Sequence, residues 1–286
     1  MKREKDLASE AARPGTTEVI LFFAIATGFT WLFWVPDALG KRGVLPDVIW
    51  TNLGFVGAWG PLVAAVYLVA RERGLEGIKG LAKQGTDYKF GKGWWAVILL
   101  FFPVLIFISY IISISTEGVA PPSPAEGMYW FLPLVFFSVL FTGGPVQEEF
   151  GWRGYALPRL QAAYSPWASS LILGFIWAVW HLPQFLVPRE KTGMFYITPV
   201  WSFMLTVVAA SFVYTWVYNH TKGSVLAALV LHTQMNLFFW IFPVLYTSTG
   251  YLWVLGLFTL AAAIVVLVDR RDFFRKPQQD RHSALR

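Results

Sequence analysis

Residues 145–161 read PVQEEFGWRGYALPRLQ and place two adjacent carboxylates, Glu148 and Glu149, and a guanidinium, Arg153, between two strongly apolar stretches. Two further polar groups stand in apolar surroundings: His181 in FIWAVWHLP, and His232 with Asn236 in LHTQMN. An ionisable side chain at a bilayer centre costs about 2.5–3.5 kcal/mol on insertion scales, so such groups persist by pairing or by lining a wet cavity. A carboxylate, two imidazoles and an amide drawn from three segments are the groups needed to activate a water and to stabilise a tetrahedral oxyanion.

The spacing assigns different duties to the two carboxylates. Gly143-Gly144 can end the preceding helix, and Pro145 suits the first position of a new one, where its missing N–H has no partner anyway. Glu148 and Glu149 then fall in the first turn, which the helix dipole favours for acids. Glu149 and Arg153 are four apart, the spacing of a same-face ion pair. Glu148 is turned about 100° away, so it is free for other work. Taken alone, the cluster also reads as a capped helix start with a surface salt bridge. His181 precedes Leu182-Pro183, and the proline bends or ends the helix beside the imidazole; a lone histidine there is otherwise a core residue bonded to a neighbouring helix. His232 and Asn236 project from one helical face. The amide can orient an imidazole or donate to an oxyanion, or the pair can be interhelical glue.

The elements that must position these groups are membrane helices. Hydrophobic residues make up 56% of the 286 and charged residues 14%, against about 25% charged in an ordinary soluble domain. Apolar windows long enough to cross a ~30 Å hydrocarbon core recur along the chain. The pattern predicts an all-α polytopic protein with about eight spans, at 19–36, 48–70, 94–114, 128–144, 167–187, 198–219, 223–242 and 250–268. It is read as a tail over 1–18, one transmembrane domain over 19–268 with its motif core at 145–236, and a basic tail over 269–286. The first span reads as an uncleaved helix rather than a signal peptide. Alternate loops divide Lys and Arg nineteen to four, which predicts cytoplasmic termini. The net charge of +6 therefore reads as topology, and no nucleic-acid partner is expected. The basic segment 71–93 mixes Leu, Ile and Lys at near-helical spacing, as either a helix on the anionic inner leaflet or a solvated loop.

Several chemistries are excluded. With no cysteine there is no thiol nucleophile, thiolate metal site or disulfide. Every Asp falls in an expected tail or loop, so no intramembrane aspartyl pair is available. His-Glu-x-x-His and Gly-x-Ser-x-Gly are both absent, which removes the usual zinc-protease helix and weakens a serine reading.

Glu148-Glu149-x-x-x-Arg153, an aromatic-x-x-x-His181 and His232-x-x-x-Asn236, in that order and spacing, resemble the CPBP intramembrane proteases, which include the CAAX prenyl endopeptidases. The second motif departs in one residue: the family commonly has Phe where this chain has Trp177, an aromatic expected to pack. The resemblance implies an intramembrane endopeptidase with a catalytic cavity facing the cytoplasm. Glu148 would be the general base helped by His181, His232 and Asn236 would hold the oxyanion, and Glu149 and Arg153 would keep the motif helix in shape. No cofactor is needed on that scheme; alternatively Glu148, His181 and His232 would ligate Zn2+ with an open fourth position. Partners would be membrane lipids and a membrane-tethered peptide or protein, such as one with a prenylated C-terminus. The competing reading is a non-catalytic transporter or scaffold with a Glu–Arg–His relay, against which stands the lack of two matched halves. If 128–144 crosses fully, Glu148 lies near the cytoplasmic surface, so helix 145–162 must continue or re-enter the membrane to meet the histidines.

Overall fold

The structure is a computed structural model and describes residues 16–46 and 54–275. Every regular element among them is helical. The long helices are α1 (Thr16–Lys41), α2 (Gly60–Gln84), α3 (Lys92–Glu117), α4 (Leu132–Thr142), α5 (Pro145–Gly151), α6 (Leu157–Ala163), α7 (Pro166–Trp180), α8 (Val200–His220), α9 (Val225–Ile241) and α10 (Gly250–Val268). Local chemistry sets the boundaries. Ser165 accepts from Ala168 N at 3.2 Å ahead of Pro166 to open α7, and Ser224 accepts from Ala227 N at 3.1 Å to open α9. Both satisfy first-turn N–H groups that have no helical partner.

Among the described residues five helices are long and apolar enough to cross a membrane, or six where the bent pair Tyr129–Thr142 with Pro145–Ala163 is counted as one span. The chain is an integral membrane protein. Of the eight expected spans, three differ in kind. Residues 48–53 of the second lie outside the described residues, and α2 carries charges from Arg71 onward and breaks at Gly74 (φ 58°). The seventh, α9, has 17 residues and reaches about 26 Å at 1.5 Å per residue, short of a ~30 Å core. The expected span 128–144 is corrected. α4 has only 11 residues, about 16 Å, and the chain then turns by 45° into α5 and α6. Glu148 thus lies midway along the bent pair, just past its break, instead of beyond the end of a full-length span. A second correction concerns Asp37, expected in a loop. α1 continues past Pro36 to Lys41, so Asp37 is helical, 2% exposed and paired with Lys41 at 2.8 Å.

α5 packs between α2 and α9, and α7, α8 and α10 form a second layer. Gly151 allows the first contact: a Cβ there would sit 2.6 Å from both Pro61 Cβ and its carbonyl oxygen. Indole and hydroxyl groups tie α1 to its neighbours. Trp180 Nε1 donates to Thr30 Oγ1 at 2.7 Å, Thr30 Oγ1 to Gly57 O at 2.7 Å, and Trp34 Nε1 to Gly54 O at 2.8 Å. In hydrocarbon these donors have no water to turn to, so each needs a protein acceptor.

Bonds between loops sort the ends of the helices into two sets. Ser224 Oγ donates to Asp87 O at 2.6 Å, His220 meets Asp269 at 3.4 Å and Trp167 stacks on Phe274. Segments 85–91, 164–167, 220–224 and 269–275 therefore share one end, the end where α1 begins beside Arg159 and Ala163. At the other end Lys191 Nζ donates to Lys41 O at 3.0 Å, Ser123 Oγ to Ile241 O at 2.6 Å, and Glu117 accepts from the Ser248 and Thr249 N–H groups at 2.9 and 2.7 Å. These are the groupings expected from charge alone.

Gly151→Val tests the α2–α5 contact. It should lower the melting temperature in detergent, with a cost of about 1–3 kcal/mol for overpacking, whereas Gly93→Ala, at a position with nothing within 4 Å, should leave melting unchanged.

Candidate active site

The site begins at the break between α4 and α5. Gly144 has φ 111°, and its N–H donates to Gln147 Oε1 at 2.8 Å. A Cβ on Gly144 would lie 2.6 Å from Glu148 Oε1, so both the backbone angle and the space require glycine. The first turn of α5 then presents Glu148, 6% exposed, and Glu149, fully buried. Glu149 accepts from Arg153 Nη1 with both oxygens, at 3.0 and 3.1 Å, the four-residue pair expected from the sequence. The same Oε1 contacts His232 Nδ1 at 2.7 Å. The helix widens to a π turn over Trp152–Ala156, around the fully buried Arg153. The Arg153 Cζ lies 4.4 Å from the Trp177 ring centroid and 4.0 Å from that of Tyr214, and such ring faces attract a desolvated guanidinium.

Glu148 points the other way, as the 100° step requires. Its Oε2 accepts from Trp177 Nε1 at 2.6 Å, which leaves Oε1 over Gly144. His181 caps α7, whose helix ends at Trp180 before the 3-10 turn Leu182–Leu186. Its Nδ1 lies 2.8 Å from Trp177 O, an acceptor that requires the proton on Nδ1 and leaves Nε2 to face outward. His232 is held likewise by the Glu149 carboxylate. Asn236 Nδ2 donates one hydrogen to Gly143 O at 2.9 Å, tying α9 to the α4–α5 break and leaving a second N–H.

Glu148, His181, His232 and Asn236 line a single cavity of about 190 Å³, together with Trp177, Tyr196 and an apolar wall that includes Val207, Phe239 and Phe258. That volume far exceeds the roughly 10–15 Å³ that one water needs. Burial and the nearby Glu148 carboxylate push the Tyr196 phenol well above its ordinary pKa, so it enters the cavity as a donor. The four residues singled out as catalytic are thus brought together, and Glu149 and Arg153 stand behind them. Trp177 was expected only to pack; the structure gives it the bond to Glu148. The signal was present, because a buried indole N–H normally finds a partner. Gln147, Tyr196 and Tyr214 carried no comparable sequence signal.

Zinc fits these residues in part. Both imidazoles offer Nε2 to the cavity, with Nδ1 engaged as metal-binding histidines usually have it. Among the described residues, however, the trio whose ligand atoms all lie within 4.8 Å of one another is His220, Asp269 and Asp272. Glu148, His181 and His232 are spaced more widely than a shared ion requires, and no step below is routed through a metal.

The buried pair predicts how two variants behave. Glu149→Gln and Arg153→Ala should each cost about 3–5 kcal/mol, because each leaves an uncompensated buried charge. Both should melt earlier in detergent than wild type. Melting unchanged in either would mean that the pair does not support the fold.

Comparison with known proteins gives the same direction. The family described as "Type II CAAX prenyl endopeptidase Rce1-like" matches residues 129–238, which contain the α4–α5 break and all six polar residues above. The chain is also 25% identical over 264 residues to "CAAX prenyl protease 2" of Methanococcus maripaludis, covering 90% of this chain and 96% of that protein. By these two matches the chain is similar to the Rce1-like CAAX prenyl endopeptidases over the segment that carries the gathered Glu, His and Asn motifs.

Proposed function

We propose that this intramembrane endopeptidase cleaves a membrane-tethered peptide segment with a water activated by Glu148. The observation that carries the reading is the convergence of Glu148, His181, His232 and Asn236 on one cavity from three helices. With Oε2 held by Trp177, Glu148 Oε1 takes a proton from the water, and His181 Nε2 accepts the water's other hydrogen. The hydroxyl adds to the scissile carbonyl carbon, and the C=O electron pair moves to oxygen. Asn236, through its second N–H, and His232, through Nε2, donate to that oxyanion. Since Nδ1 of His232 already gives its proton to Glu149, an Nε2 donor means an imidazolium. The two carboxylates, the guanidinium and that imidazolium then sum to zero charge, a condition that a buried cluster favours. When the C–N bond breaks, the proton on Glu148 passes to the leaving nitrogen, and one water has been added across the peptide bond.

The proposed orientation has both termini in the cytoplasm. It is supported by the Lys and Arg asymmetry and by the loop pairings that place the basic segments at one end.

Glu148→Gln keeps size and hydrogen bonding but removes the base. It should lower turnover of a fluorogenic peptide by about 10²–10⁴-fold, the range for general-base catalysis, with melting nearly unchanged. Cleavage that survives in Glu148→Gln would overturn the assignment. Prolonged treatment with a strong chelator should leave wild-type turnover intact; loss that Zn2+ restores would establish the ligand set Glu148, His181 and His232 instead.

A further inference from the structure

We propose that His220, Asp269 and Asp272 form a binding site for a divalent metal ion of the zinc type, outside the catalytic cavity, and that the ion fastens the segment after α10 to the end of α8. His220 is the last residue of α8, and Asp269 follows directly on α10. The ligand atoms of the three side chains all lie within 4.8 Å of one another. The cavity draws on α8 only between Ser202 and Ala210, so His220 stands about 15 Å further along the helix axis. The proposal therefore does not depend on the catalytic reading.

The spacing is that of ligands around an ion. His220 Nε2 and Asp269 Oδ2 are 3.4 Å apart, beyond the usual N–H···O range of about 2.7–3.2 Å. Two ligand atoms at about 2.0–2.2 Å from a tetrahedral zinc ion stand about 3.3–3.6 Å from each other. The imidazole is also turned the right way. His220 Nδ1 lies 2.9 Å from Trp216 O, an acceptor that puts the proton on Nδ1 and leaves the Nε2 lone pair towards the carboxylates. A metal-bound histidine is usually held in this manner through its other nitrogen. Trp94 stacks on the ring at 4.9 Å between centroids, which fixes its plane. A lone pair and two carboxylates that face one another repel unless a positive charge lies between them.

The surroundings favour a divalent ion. Two carboxylates and a neutral imidazole carry two negative charges, which such an ion balances. α8 and α10 both end at this point, and the C-terminal end of a helix attracts a cation. The competing cation is Arg275, whose Nη1 is 3.6 Å from Asp272 Oδ1 with both side chains partly exposed; a pair of that kind contributes little. Imidazole nitrogen suits zinc, three protein ligands leave a fourth position for water, and the half-exposed Asp272 leaves water a path to it. Held in this way, the ion joins α8 and α10 to the turn Arg270–Phe273, where Phe273 packs near Phe212 and Phe274 stacks on Trp167.

The test uses the full chain in detergent, purified without a polyhistidine tag, stripped by a chelator and dialysed. Zn2+ alone, added in a titration calorimeter, should bind as a single equivalent and raise the melting temperature, because an ion that binds the folded chain stabilises it. Asp272→Asn and His220→Ala should each weaken that binding by about tenfold or more and remove the rise. Asp272→Asn changes a half-exposed side chain, so its melting temperature without metal should equal that of the wild type. His181→Ala, which alters the cavity, should keep both the binding and the rise. A wild type that binds no zinc would overturn the proposal, as would undiminished binding in either Asp272→Asn or His220→Ala. Binding lost in His181→Ala would place the ion in the cavity and overturn it equally. Turnover enters none of these measurements, so they stand apart from the base assignment that Glu148→Gln tests.

Discussion

Everything in the site hangs on one buried carboxylate that serves two nitrogen groups. Glu149 holds Arg153 on one side and His232 on the other, at 3.0 and 2.7 Å. In a membrane neither the guanidinium nor the imidazole has water to fall back on, so the carboxylate is the acceptor that both require. The first bond stays within α5 and the π turn after it; the second crosses to α9. One side chain therefore registers two helices against each other, and Trp177 and Tyr214 close the Arg153 charge from α7 and α8. Glu148 is free to face the cavity because its neighbour meets this demand.

The adjacency of the two glutamates explains the shape of the bent span. An acid that must meet groups at mid-membrane cannot start a helix at the surface. A half-length α4 ending at Gly143-Gly144 brings a helix start, with its unpaired N–H groups, to the right depth. Irregular backbone there is tolerable because it lines a cavity and because Asn236 takes up the Gly143 carbonyl. Gly144 answers two needs at once, since its φ of 111° and its 2.6 Å approach to Glu148 both exclude a side chain.

The sequence made much of this legible. The Glu149–Arg153 pair followed from a spacing of four, the divergence of Glu148 from a step of 100°, and the end of α7 near His181 from Pro183; all three involve local geometry that a helix dictates. What escaped involves tertiary placement. Hydropathy over 128–144 cannot distinguish a full span from a half-span joined to a second helix, because both are uniformly apolar. The link from Glu149 to His232 joins residues 83 apart, and no local pattern encodes it. Trp177 lay between these cases: its chemistry was visible, but its partner was not. The grouping of the loops at two ends came through well, since charge distribution is a property of the sequence, whereas the depth at which the cavity sits between those ends is not.

On the proposed mechanism, the same cluster accounts for how an apolar cavity tolerates a reaction that creates and moves charge. Before attack, Glu148 and Glu149 are balanced by Arg153 and His232. When Glu148 takes the water proton its charge is lost, and an equal charge appears on the substrate oxygen a few ångströms away, next to His232 and Asn236. The net charge of the buried groups does not change; one negative charge has moved from a carboxylate held by the Trp177 N–H to an oxyanion held by an imidazolium and an amide. Donors already aimed at the place where charge will appear need no reorganisation at the moment of reaction. A second mobile charge in the cavity would break that balance. This is a physical reason why Arg153, the other cation of the cluster, is locked to Glu149 and walled off by aromatic rings instead of facing the substrate.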